Sequence, residues 1–213
     1  MRKESIFTGA ATAIVTPMNA KGVDYEAFER MLNWQVQQGI DALVVCGTTG
    51  EGSTLTDEEH RQVLQFAIKV VDGRVPMIAA IKEASGNISK IVETAALVGD
   101  QLDIYSGNDD QIVPILACGG KGVISVLSNV VPAETSLMCK KFFAGDVQGA
   151  MEMQKKYLPL TNALFCEVNP IPAKAAAAAM GYGENYVRLP LVTMEETARQ
   201  HLLECMREVG VNV

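Results

Sequence analysis

Apolar positions follow two alternating patterns over the first two thirds of this chain. Short runs rich in Ala, Val, Ile and Leu lie at Ala11 to Val15, Ala42 to Cys46, Val75 to Ile81, Leu102 to Tyr105 and Gly122 to Val126. Their length and bounding glycines and polar residues predict buried strands. Between them, apolar residues recur at helical spacing over Asp24 to Gln38, Asp57 to Val71, Ile88 to Val98, Asp109 to Ala117 and Pro132 to Phe143, which predicts amphipathic helices. Gly39, Gly73, Gly99 and Gly119 each follow a helix, where a left-handed residue ends it. Thr56-Asp57-Glu58-Glu59 has the capping-box pattern, and Pro132 suits a first helical turn. This β-α alternation predicts a parallel sheet with helical crossovers.

From Asp146 onward the strand pattern stops. Asp146 to Phe165, Ile171 to Met180 and Met194 to Glu208 are predicted helices, and the alanine run Ala175 to Ala179 favours helix strongly. Asn169-Pro170-Ile171-Pro172 breaks the chain and restarts it. The expected organisation is a β/α core over residues 1–145 and a helical segment over 146–213.

Composition narrows the class. The chain has 213 residues, 48% hydrophobic and 20% charged, which suits one globular unit with a substantial core. A net charge of -7 argues against nucleic acid as a partner. No apolar run is long enough to span a membrane, and Met1 to Ser5 is not followed by the apolar stretch of a signal peptide. The five cysteines are scattered, without Cys-x-x-Cys spacing, and only two histidines are present. The expectation is a cytoplasmic protein with reduced thiols and no metal site.

Candidate chemistry lies where strands end, since the C-terminal ends of parallel strands form the functional face of such folds. Cys46-Gly47-Thr48-Thr49-Gly50-Glu51 follows the second strand. It is either an ordinary connecting loop or one whose backbone N–H groups and hydroxyls receive an anion. Lys82 ends the third apolar run. A lysine there either faces water, pairs with a neighbour such as Glu83, or, desolvated, serves as an amine nucleophile toward a carbonyl. Asn108 or Asp109, after the fourth strand, caps the following helix or lines the site.

These segments occur in one order: Pro17 after an Ala-x-Val-Thr strand, Gly-Thr-Thr-Gly-Glu, Ile-Lys-Glu-Ala-Ser-Gly-Asn, Ser-Gly-Asn-Asp, Gly-Val-Ile-Ser-Val and Asn-Pro-Ile-Pro. In this the chain resembles the dihydrodipicolinate synthase and N-acetylneuraminate lyase family of pyruvate-dependent aldolases, in two blocks from about Phe7 to the C-terminus. The resemblance implies a (β/α)8 TIM-type barrel with appended C-terminal helices, commonly a homo-oligomer. It implies that Lys82 forms an imine with pyruvate, Thr49 holds the pyruvate carboxylate, Thr48 belongs to a proton relay and Ile124 contacts pyruvate through its backbone. The implied partners are pyruvate and aspartate semialdehyde, and the implied cofactor set is empty, the imine on Lys82 being the only covalent carrier.

The chain departs from this family at one place. Val75 to Ala80 resembles the family's third strand, whereas Ile81-Lys82-Glu83 resembles the end of its sixth. About 80 residues are missing if each β/α unit takes about 30. The family's acid/base tyrosine and the arginine that binds the second substrate have no counterpart here. The expected fold is therefore an incomplete α/β barrel of about five strands. Such a sheet is expected to open, exposing apolar faces and edges, to rearrange, or to be completed by another chain.

Overall fold

The computed structural model describes residues 5–78, 88–98 and 103–213. Five strands form one parallel sheet: β1 (Gly9–Ala13), β4 (Ala42–Val44), β5 (Met77–Ile78), β6 (Tyr105–Ser106) and β7 (Gly122–Ser125), in the order β5-β4-β1-β7-β6. A two-strand ribbon, β2 (Met18–Asn19) with β3 (Gly22–Val23), follows β1. The first strand in sequence is thus the central one in the sheet. Ala11 stands opposite Ala42 on one side and Ile124 on the other.

The β1–β7 approach depends on glycine. A Cβ at Gly122 would lie 1.9 Å from the Gly9 carbonyl oxygen, so no other residue fits. Gly9 itself takes a φ of +125°, in the range that favours glycine. Beyond the pairing, Asn129 closes the far end of β1. Its amide donates to the Ala13 carbonyl at 2.7 Å and its oxygen accepts from Val15 N–H at 3.0 Å. That side chain replaces a strand partner, which is why β1 stops short of the expected Val15. At β4 the expected Cys46 end also fails, because Cys46 turns left-handed, φ +57°.

Residues alternate between the two faces of the sheet, as a period of two requires. Ala10, Leu43 and Val123 pack on the helical layer, while Ala11, Ala13, Ala42, Val44 and Ile124 share the opposite face with Phe7 and Tyr105. Exposure of this inner face is one of three outcomes expected of an incomplete barrel, beside rearrangement and completion by another chain. The face is buried: Ala11 and Ala42 are fully inaccessible and Ile124 is 8% exposed. Alanine or valine at four of these positions leaves little side chain to expose. The Phe7 and Tyr105 rings stack at 4.4 Å, and the Tyr105 hydroxyl donates to the Phe7 carbonyl.

The helices are α1 (Tyr25–Gln37), α2 (Asp57–Val71), α3 (Ile88–Val98), α4 (Ile112–Ala117), α5 (Pro132–Phe143), α6 (Val147–Leu164), α7 (Ile171–Ala179) and α8 (Glu196–Glu208). Their starts follow local chemistry. Asp24 accepts from Ala27 N–H, Thr56 and Glu59 complete the reciprocal capping box, Asp146 accepts from Gly149 N–H, and Pro132 occupies the first turn of α5. Gly39, Gly73 and Gly119 take positive φ after their helices; Gly99 lies outside the described residues. The last helices form no separate layer of their own: α8 packs on α6 and α7, and residues of both the β/α part and the helical part belong to one apolar cluster.

One expected cap takes another role. Asn108 makes no side-chain cap bond, and the predicted helix opens as a single 3-10 turn, Asp109–Gln111, before α4. Asp109 is buried, and its Oδ2 accepts from the N–H groups of Val126 and Leu127 at 2.8 and 3.0 Å. It thereby caps the turn after β7. A buried carboxylate on two N–H groups makes charge-assisted bonds. Asp109→Ala strands both donors, and each buried unsatisfied group costs about 1–3 kcal/mol. A lower urea midpoint by equilibrium unfolding is expected; an unchanged midpoint would contradict this role.

Candidate functional site

The loop after β4 is built from two left-handed residues. Cys46 (φ +57°) and Glu51 (φ +54°) enclose Gly47-Thr48-Thr49-Gly50. Such conformations are uncommon for residues with a Cβ and persist where the surroundings enforce them. Here Gly50 N–H and Gly52 N–H both donate to the Gly47 carbonyl, and Glu51 N–H donates to Thr48. A Cβ at Gly52 would lie 2.2 Å from the Cys46 carbonyl oxygen, so the loop closes on itself only with glycine there. Burial pushes the Cys46 thiol up to about 11, which keeps it protonated at neutral pH.

The loop is gripped from the C-terminal part of the chain. Lys174, on α7, is 2% exposed, and its Nζ lies 2.8 Å from Oε1 of Glu51, whose side chain is fully inaccessible. The same ammonium donates to the Thr16 carbonyl at 2.6 Å. The Thr16 hydroxyl donates in turn to the Gly50 carbonyl at 2.8 Å. Arg188 N–H donates to the other Glu51 oxygen at 3.1 Å. Removal from water pulls the Lys174 pKa down while Glu51 holds it up. Asn169, which precedes the cis Pro170, donates from Nδ2 to the Thr49 hydroxyl oxygen at 2.9 Å. Asn169-Pro170-Ile171-Pro172 therefore joins the loop at Thr49, and Lys174 joins it at Glu51.

Thr49 is 2% exposed, whereas Thr48 beside it is exposed. Ile124 lies on β7, on the inner face shared with Ala42 and Val44 of β4. It is two strands from β4, or about 10 Å at the usual strand spacing. Thr48 and Thr49 thus lie in the loop that follows β4, and Ile124 lies on β7 of the same sheet. Lys82 lies outside the described residues. Among the described residues there is no cluster of three or more His, Cys, Asp or Glu side chains that could hold a metal, and no helix long and apolar enough to cross a membrane. All five cysteines carry free thiols.

Sequence reasoning did not find Lys174, Arg188 or Asn169 as parts of this site. Lys174 sits in an alanine-rich helix and Arg188 in an irregular stretch, and neither position has a local pattern. The signals available were a charged residue inside an alanine-rich apolar helix, and an Asn-Pro pair ahead of it.

An open, barrel-type parallel sheet with its candidate site on the loops after the strands defines the class of α/β-barrel enzymes. Comparison with known proteins specifies the family. A model of the dihydrodipicolinate synthetase family matches residues 6–80 and 76–209. The chain is 35% identical to 4-hydroxy-tetrahydrodipicolinate synthase from Clostridium perfringens over 289 aligned positions, covering 97% of this chain and 99% of the relative. Among solved structures it matches a monomeric dihydrodipicolinate synthase variant (28% identity, TM-score 0.93, 97% of this chain and 98% of that one). It also matches the chloride-inhibited enzyme of Acinetobacter baumannii complexed with pyruvate (27% identity, TM-score 0.91, 96% and 99%).

The chain belongs to the dihydrodipicolinate synthetase family. The aligned span of 289 positions exceeds its 213 residues by 76, so at least that many positions of the relative face gaps. The two family-model segments meet at residues 76–80. This is where the sequence changes from one family strand to another, and the shortened barrel read from that change is the fold found.

The Arg188–Glu59 pair makes the stability of the fold depend on pH. The guanidinium, 2.8 Å from Glu59 Oε2 through Nη1, is the main reason that the Glu59 carboxyl is held at about 2, with the Thr56 N–H adding to it. A carboxyl lowered on folding adds stability above its unfolded pKa, about 4.3, and that stability is lost as pH falls toward 2. Glu59→Gln is expected to flatten the fall in the urea midpoint between pH 5 and pH 3 while changing its slope little between pH 6 and pH 8. An identical acid limb in both proteins would contradict the assignment.

Proposed function

We propose that this chain performs the opening chemistry of its family: capture of pyruvate as an imine on Lys82. The observation that supports this is the loop Gly47 to Glu51, with Thr49 buried in it and bonded by Asn169 and with Glu51 paired to Lys174. In this reading Thr49 receives the pyruvate carboxylate and Thr48, exposed beside it, passes protons. Ile124 borders the substrate through its backbone. Lys82 adds through its neutral amine to the ketone carbon, and water leaves as the imine forms. Loss of a proton from the methyl group yields an enamine, whose carbon attacks the aldehyde of aspartate semialdehyde. No metal or further cofactor takes part in this scheme.

The second half of the reaction is proposed to be slow. The relatives named 4-hydroxy-tetrahydrodipicolinate synthase have at least 76 positions that this chain lacks. By the family pattern the acid/base tyrosine and the arginine for the second substrate fall there. General acid/base help is typically worth about 10²–10⁴-fold. Condensation is therefore expected at a small fraction of the rate of the full-length relatives. Work in the cytoplasm accords with the negative charge and the free thiols.

Incubation with labelled pyruvate and borohydride, followed by peptide mass spectrometry, tests the first half. The expected result is one reduced adduct on Lys82, absent from Lys82→Ala. A folded sample without adduct would overturn the imine reading, and condensation at the rate of the Clostridium perfringens enzyme would overturn the proposed impairment.

A further inference from the structure

We propose that Asn169 is a positioning residue that reserves the Thr49 hydroxyl hydrogen for the carboxylate of the substrate. The inference rests on the reading of Thr49 as the carboxylate contact and adds how that contact is prepared. A hydroxyl has one hydrogen to donate and accepts through its lone pairs. The Thr49 oxygen accepts from Asn169 Nδ2 at 2.9 Å, an amide orientation that leaves Asn169 Oδ1 buried without a hydrogen-bond partner. Thr49 is 2% exposed, and among the described residues no acceptor takes its hydrogen.

A hydroxyl buried to this degree, with its acceptor used and its donor unspent, is an unusual arrangement, since buried polar groups are normally paired. Asn169 occupies the oxygen from one side, so the O–H bond turns away from it. A carboxylate at the loop is the partner such a donor suits, because a hydrogen bond to an ionised acceptor is roughly twice as strong as a neutral one.

Asn169 can do this only if it is immobile. Asn169 stands two residues before α7, whose Lys174 is held by Glu51 and by the Thr16 carbonyl. The loop and the residue that orients it are thus fastened to the same buried ion pair. The donor is set before substrate arrives, which reduces the ordering cost of binding.

The test compares pyruvate with pyruvamide, its uncharged amide, by saturation-transfer NMR titration without borohydride. In Asn169→Ala the dissociation constant for pyruvate is expected to rise about tenfold, while that for pyruvamide stays within about twofold. Asn169→Asp keeps the shape but offers an acceptor, which takes the Thr49 hydrogen and repels the anion; a larger loss confined to pyruvate is expected. Equal weakening of both ligands in either variant, as general loosening of the turn would produce, or no weakening at all, overturns the inference. Wild-type protein that binds pyruvate no better than pyruvamide overturns it together with the carboxylate role of Thr49. Wild-type protein that binds pyruvate selectively but gives no borohydride adduct overturns only the imine reading.

Discussion

A lysine and a glutamate, both removed from water, fasten the C-terminal helices to the loop after β4. Desolvating each ion costs several kcal/mol, and their attraction offsets this only with good geometry and further hydrogen bonds. Both conditions are met: Lys174 also donates to Thr16 and Glu51 also accepts from Arg188. Nonpolar residues of like volume would often be as stable in such a place. What they would lack is direction. The pair sets where Glu51 sits, and with it the left-handed turn that closes the Gly47–Thr49 loop.

The same constraint ties together the two blocks of the shortened barrel. In a parallel barrel, units adjacent in sequence are adjacent in space, so losing consecutive units opens one gap rather than several. The retained strands remain neighbours in the order β5-β4-β1-β7-β6. The block matching residues 6–80 supplies β5, β4 and β1, and the block matching 76–209 supplies β7 and β6. The blocks meet through β1 and β7, far from the join in sequence. The glycine contact between Gly9 and Gly122, Asn129 at the end of β1, and the grip of Lys174 on the β4 loop all cross that meeting.

Local signals were read well because their causes are local. Thr56 with Glu59, Pro132, and the glycines after α1, α2 and α4 act over one helical turn, and each stands where the sequence placed it. The helical segment after Asp146 was equally legible from its period. Strand ends were less so. Whether a residue continues a strand depends on its partner, and at Val15 that partner is a side chain from Asn129, 114 residues away. Asp109 shows the same limit: read with Asn108 as a helix cap or a residue lining the site, it accepts from the N–H groups of Val126 and Leu127 in the turn after β7, 17 and 18 residues away.

For the candidate site the division is sharper. The amino-acid sequence by itself determined the alternation of strands and helices, the family, the place where the barrel was shortened, and the choice of Thr48, Thr49, Lys82 and Ile124 as candidates. The alternation follows from side-chain periodicity, and the family, the join and the candidate residues from short motifs that resemble those of the family. Only the tertiary structure decided that Thr49 is held by Asn169, that Lys174 in an alanine-rich helix is the buried partner of Glu51, and that an Ala- and Val-lined inner face stays covered. Each of these joins residues far apart in the chain, and the exclusion of water that gives such contacts their strength exists only once the sheet and the helices have packed.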